Sequence, residues 1–194
     1  MTYIILNKPY GVLCQFTDSE GRETLANYGH FPKNVYPVGR LDVDSEGLVL
    51  LSDDGRLKHL LLDPKYRHPR TYLVQVEKIP CQEDLRKLQK GVRIEGRITL
   101  PAGVNLLKEE PLIAPRRVPI RYRRNVPTSW LEITLREGHN RQVRKMTAAI
   151  GHPTLRLIRI KIGPLTIEEL KPGNSRELKP EEIANLKNIL FLNH

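Results

Sequence analysis

Between Val38 and Gly47 the chain sets Arg40 and three carboxylates, Asp42, Asp44 and Glu46, immediately ahead of the apolar run Leu48 to Leu51. Charged groups pressed against an element that must be buried are costly unless they are paired or used. Side chains two apart share one face of an extended chain, so Asp42 and Asp44 form a candidate acid and base of the kind glycoside hydrolysis needs. Nothing else in the chain resembles a sugar site with aromatic platforms. The spacing of Asp42, Asp44, Glu46, Gly47 and Asp53 also matches EF-hand ligands. That calcium reading fails on context: Pro37 and Gly39 stand where an entering helix belongs, a strand-like run fills the second half, and the last position lacks the bidentate Glu. Pairing of these acids with surface arginines is the plain alternative, and spacing alone does not separate it from chemistry.

A second cluster, Gly138 to Met146, holds Arg141 and Arg144 one helical turn apart, so both reach the same side. Two arginines at a helix start suit a phosphate or a buried carboxylate, or simply form part of a basic face. Tyr72, in Arg70-Thr71-Tyr72-Leu73-Val74, reads either as a core phenol or as a platform for a base. The six histidines have neither i,i+4 spacing nor a cysteine partner, so no metal is expected. Cys14 and Cys81 are far apart and form no Cys-x-x-Cys, which predicts two free thiols rather than a zinc site or a disulfide framework.

Charge points to the partner. The 194 residues hold 32 Lys and Arg against 22 Asp and Glu, a net +10. Residues 1–60 sum to −2, 61–110 to +3, 111–163 to +10 and 164–194 to −1. Ten of the twelve basic residues in 111–163 are arginines, among them Arg121, Arg123, Arg136, Arg141 and Arg144. Arginine forks pair with phosphates and stack on bases, so this concentration predicts nucleic-acid binding over a merely solubilising face. No apolar run reaches the roughly 18 residues of a membrane helix, and no basic region precedes the first apolar stretch. A cytoplasmic protein without membrane contact is expected, with a monomer as default.

These residues need elements to hold them. Tyr3 to Leu6 reads as a buried strand ending in the Asn7 to Gly11 loop, with Val12 to Gln15 resuming it. A weak helix over Glu23 to Tyr28, a loop from Pro32 to Pro37 and a buried strand from Gly47 to Ser52 follow. Leu57, Leu60 and Leu61 give a helical stripe over Arg56 to Leu62, and alternation gives a strand over Arg70 to Glu77. Gln82 to Lys90 is a helix with acids first and lysines last, and short strands occupy Val92 to Leu107. Residues 108–119, with three prolines, read as a linker. Trp130 to Leu135 alternates as a strand, Asn140 is placed as N-cap of a helix Arg141 to Ile150, and Thr154 to Ile162 and Glu181 to Leu190 close the chain as strand and helix. No regular βαβ rhythm appears, so the class is α+β with a mostly antiparallel mixed sheet, in two lobes flanking a catalytic cleft.

Four ordered motifs then combine: Leu6-Asn7-Lys8-Pro9-Tyr10-Gly11-Val12; Gly39-Arg40-Leu41-Asp42 to Ser45-Glu46-Gly47-Leu48; Arg70-Thr71-Tyr72-Leu73-Val74; and Glu137-Gly138-His139-Asn140-Arg141-Gln142-Val143-Arg144. Together they resemble the pseudouridine synthases of the family typified by the bacterial small-subunit ribosomal enzyme, over nearly the whole chain. Gln15-Phe16-Thr17-Asp18, Thr99-Leu100-Pro101-Ala102-Gly103 and Pro127-Thr128-Ser129-Trp130-Leu131 are most similar to members acting on large-subunit (23S) ribosomal RNA. The resemblance implies one catalytic domain over 1–190 without a separate N-terminal RNA-binding domain, and conversion of a uridine to pseudouridine without cofactor or metal. It implies that Asp42 acts at the ribose, as nucleophile at C1′ or as base at C2′. It further implies that Arg144, or Arg141, pairs with Asp42 and lowers its pKa, that Tyr72 stacks on the uracil near C5, and that Arg40 fills the gap left by the flipped uridine. Arg40, Lys8, Arg121, Arg123, Arg136, Asn140, Arg141 and Lys145 are the candidate RNA contacts. A non-catalytic RNA-binding assembly protein is the competing reading.

Overall fold

The structure, a computed structural model, describes residues 1–120, 123, 125–168 and 170–191. In chain order it contains β1 (Tyr3–Lys8), β2 (Tyr36–Pro37), β3 (Glu46–Ser52), α1 (Gly55–Leu62), β4 (Arg70–Glu77), α2 (Gln82–Lys90), β5 (Arg93–Ile94), β6 (Arg97–Ile98), β7 (Gly103–Leu106), β8 (Thr128–Leu135), α3 (Gln142–Ala149), β9 (Thr154–Ile162), β10 (Leu165–Thr166), β11 (Ser175–Glu177) and α4 (Pro180–Phe191). Two compact units result, one formed by Met1–His68 with Arg159–His194 and the other by Pro69–Ile158.

In the first unit β1 pairs with β11 on one side and β3 on the other, both antiparallel, in register Ile5↔Leu50 and Lys8↔Gly47. Every residue of β1 and β3 is buried, which is why their central stretches, Tyr3 to Leu6 and Leu48 to Leu51, read as continuous apolar runs instead of alternating ones. Ile5, Leu48 and Leu50 share a core with Leu57, Leu60 and Leu61 of α1 and Leu186 and Leu190 of α4. Asp54 caps α1 by accepting from the Leu57 N–H at 2.9 Å and also accepts from the Tyr3 hydroxyl at 2.6 Å. The expected resumption of a strand over Val12 to Gln15 is reduced to one bridge, Leu13 with Thr24, because β1 already has its two partners. The weak helix contracts to a 3-10 turn over Leu25–Tyr28.

In the second unit β8 lies between β4 and β7, antiparallel to both, with Tyr72 opposite Ile133 and Val104 opposite Ile133 on the other side. Val74, Val76, Leu131, Ile133 and Leu135 form its core with Leu85 and Leu88 of α2 and Val143 and Met146 of α3. The bounds of β4, α2 and β9 coincide with those expected from the sequence. The chain passes between units at 68/69 and 158/159, so 108–119 lies inside the second unit. Its prolines mark an irregular surface stretch there, tied down where Arg156 donates to the Ala114 carbonyl at 2.9 Å. The N-cap of α3 also shifts, from Asn140 to Arg141, whose φ of 52° breaks the helix one residue later than Asn140 would. Among the described residues no helix is long and apolar enough to cross a membrane. Cys14 is buried and Cys81 exposed, both free.

Candidate active site

In the first unit, Val38 and Leu41 are buried on either side of Gly39-Arg40, and the Val38 N–H donates to Leu50 O at 2.7 Å. That anchoring leaves Arg40 exposed and Asp42 half-buried at the start of a turn. The turn is closed by Ser45 N–H donating to Asp42 O at 3.0 Å, and Gly11 N–H donates to Val43 O at 2.8 Å. Directly after it, Gly47 has φ +105° and packs so tightly on β9 that a Cβ there would lie 2.3 Å from the Arg159 carbonyl oxygen. Arg159 is itself buried and donates from Nε to Leu48 O at 2.8 Å. The acid loop thus hangs from a strand fixed at both edges.

Lys8 corrects one expectation. Its relative exposure is 0%, and its ammonium donates to Val12 O at 2.8 Å and Pro9 O at 3.0 Å, so it is not on the surface to meet a phosphate. Burial pushes its pKa down to about 8, against the opposing pull of Cys14 and of the carboxylates of Glu46, Asp44 and Asp42. Lys8 is therefore a buried positive charge in the acid loop's neighbourhood and not the RNA contact expected from its motif.

In the second unit, Tyr72 stands half-buried on β4 and packs against the apolar core, so part of its ring is seated and part is open. The turn before α3 is organised by Glu137, which accepts from the Leu100 N–H at 2.8 Å and from the side chain of Gln142, while His139 Nε2 lies 3.3 Å away. Gln142, nearly fully buried, also accepts from the His139 N–H at 3.1 Å. These roles of Glu137 and Gln142 are not among those expected from the sequence, where polar residues ahead of an apolar helix stripe are the available signal. Arg144 is half-buried and donates to Thr154 O at 3.4 Å, and Thr147 Oγ1 meets Thr154 Oγ1 at 2.7 Å, so the start of β9 holds the Arg144 end of α3.

The remaining candidate contacts differ in availability. Arg136, Asn140 and Arg141 are exposed. Arg123 is exposed but 3.3 Å from Glu77, and Lys145 is 2.7 Å from Glu95. Arg121 lies outside the described residues. Of the twelve basic residues of 111–163, Arg156 and Arg159 are buried as donors to backbone carbonyls and are not exposed to meet a phosphate. No group of three metal-ligating side chains exists among the described residues.

The fold and these motifs define an enzyme class that modifies RNA. A crystal structure of a pseudouridylate synthase superposes with a TM-score of 0.79 at 30% identity, covering 95% of this chain and 73% of that one. The family model for RNA pseudouridylate synthase matches residues 2–149, and the chain belongs to that family. Ribosomal large subunit pseudouridine synthase E of Vibrio parahaemolyticus is 52% identical over 177 residues, 91% of this chain and 73% of its own length. The enzyme of the same name from Xanthomonas axonopodis pv. citri is 51% identical over 87% of this chain and 90% of its own. Ribosomal large subunit pseudouridine synthase B of Bacillus subtilis is 38% identical over 95% of this chain and 71% of its own length.

Proposed function

We propose that this chain isomerises a uridine of 23S ribosomal RNA to pseudouridine, as a cytoplasmic monomer whose residues 1–190 act as one catalytic domain. The carrying observation is that relatives named for the large ribosomal subunit are identical to it at about half of the aligned positions, over about nine-tenths of its length. The acid-bearing turn supports the same reading: Asp42 is half-buried on a loop anchored at Val38, Leu41 and Gly47, where a carboxylate can be held against a ribose.

In the reaction the N1–C1′ bond breaks, the uracil turns, the C5–C1′ bond forms, and the C5 proton leaves as N1 takes one up. Asp42 acts at the ribose, at C1′ as nucleophile or at C2′ as base. Tyr72 stacks on the uracil, Arg144 or Arg141 pairs with Asp42, and Arg40 takes the place of the flipped uridine. Arg136, Asn140, Arg141, Arg123, Arg121 and Lys145 contribute phosphate contacts.

The test is tritium release from a 23S transcript labelled at uracil C5. Wild type should release one tritium per target uridine, Asp42→Asn none, and Arg144→Ala should lose turnover far more than RNA affinity. A wild type that binds the transcript and releases nothing makes the protein a non-catalytic RNA-binding factor instead.

A further inference from the structure

A cavity of about 780 Å³ opens on the first unit, and none of its lining residues belongs to the basic segment 111–163. Its chemistry is set by Phe16, Phe31 and Tyr36 together with Lys33, Arg40 and Lys58, and no Asp or Glu lines it. This lack of acid is unexpected where residues 1–60 carry eight acids against six bases. Three of those eight acids are held by partners that do not line the cavity: Asp18 binds Arg22 at 2.7 Å, Asp53 accepts from Thr2 N–H and the Asn34 side chain, and Asp54 caps α1. Positive charge is therefore concentrated locally in a region of negative net charge.

Two of the aromatic rings pack on each other and the third is open to solvent. Phe16 and Phe31 pack as a tilted pair with centroids 5.4 Å apart, and a Cβ on Gly29 would lie 3.0 Å from the Phe31 ring, so that ring is seated against bare backbone. Tyr36, on β2, is 58% exposed, its position set by pairing with Ser52 of β3. Three cations around exposed and half-buried rings match the recipe of single-stranded nucleic-acid sites, in which rings take base faces and cations take phosphates. The volume is within the range of small-ligand sites and ample for one nucleotide.

We propose that this cavity is a subsite for one unpaired nucleotide of the substrate RNA, its base against Tyr36 and Phe31 and its phosphates met by Lys33 and Lys58. The proposal rests on the reading of the chain as an enzyme acting on RNA. Arg40 joins the two sites: it lines the cavity, lies 3.4 Å from Gln15 Oε1, and stands two residues, at most about 7 Å of chain, before Asp42. The nucleotide held is thus one or two positions from the target uridine, and the subsite selects targets whose flank is unpaired.

Two measurements test this. With the tritium assay, Tyr36→Ala and the double variant Lys33→Ala/Lys58→Ala should each raise KM for the 23S transcript about tenfold while kcat falls less than twofold. The double variant should also lower the slope of log affinity against log salt by between one and two. Separately, a fluorescently labelled single-stranded RNA pentamer should bind wild type and lose about tenfold in affinity on Tyr36→Ala, whatever the turnover. Wild-type KM, salt slope and pentamer affinity in all variants would overturn the subsite and leave the enzymatic reading intact. A wild type that binds the pentamer through Tyr36 but releases no tritium would sink the enzymatic reading and keep the subsite.

Discussion

The ammonium of Lys8 donates to the carbonyl oxygen of Val12 at 2.8 Å with no part of the side chain exposed. This bond ties the end of β1 to the loop whose Gly11 N–H holds Val43, in the turn that carries Asp42. A buried cation thereby positions the proposed catalytic acid through backbone alone.

Lys8 should give stability an unusual rise at alkaline pH. Its folded pKa of about 8 lies below the ordinary 10.5, so between these values the unfolded chain binds the proton more readily. The cost of burying the charge is fully present below pH 8 and relieved as pH rises toward 10.5, by roughly 3 kcal/mol. Urea unfolding of wild type and Lys8→Met at pH 7.5, 9 and 10.5 should show wild type gaining on the variant by about that amount. Parallel curves would mean that Lys8 is not buried as an ammonium.

Gly47 and Gly55 should answer oppositely to alanine. At Gly47 the methyl meets Arg159 backbone at 2.3 Å with φ at +105°, so Gly47→Ala should cost more than about 3 kcal/mol or yield insoluble protein. Gly55 opens α1 with open space around it, so Gly55→Ala should stabilise by about 0.5 to 1 kcal/mol. Thermal unfolding of both checks this, and similar effects of the two would remove the tight β3–β9 approach from the account.

Asp84 should make the second unit sensitive to acid. The Cys81 thiol and then His152 hold its carboxyl down to about 2, and His152 spans from Asp84 at 3.2 Å to Glu77 O at 3.0 Å, linking α2 to β4. A depressed carboxyl contributes stability above about pH 4 that is lost as pH falls toward 2. Asp84→Asn should lower Tm by roughly 3 to 5 °C at pH 6 and by nothing near pH 2. An equal loss at both values would make the effect one of packing and not of charge.

Several parts of the fold were legible because their signals are local. Arg70 to Glu77 alternates, Gln82 to Lys90 carries acids first and lysines last, and Leu57, Leu60 and Leu61 mark one helix face; each pattern is complete within a few residues. The N-cap of α3 was misplaced for a related reason. Asn140 is the better capping residue by type, but Gln142 and Glu137 reach across the turn, and the left-handed conformation falls on Arg141.

The longer strands and helices, the concentration of arginine in 111–163 and the acid loop before an apolar run are written in the sequence, since composition and periodicity are properties of neighbouring residues, whereas the short strands β2, β10 and β11 are not. Which charges face inward follows from long-range packing. Lys8 is buried because β1 pairs with β3 in a register that puts it opposite Gly47, and Arg156 and Arg159 are buried because carbonyls far along the chain accept from them. The cavity at Tyr36 is equally out of reach, because residues 14 to 17, Ala26, 29 to 33, 35 to 37, Arg40 and Lys58 meet only once the strands are paired. Long-range pairing sorts like charges into buried donors and surface cations, and spacing along a chain carries no record of that sorting.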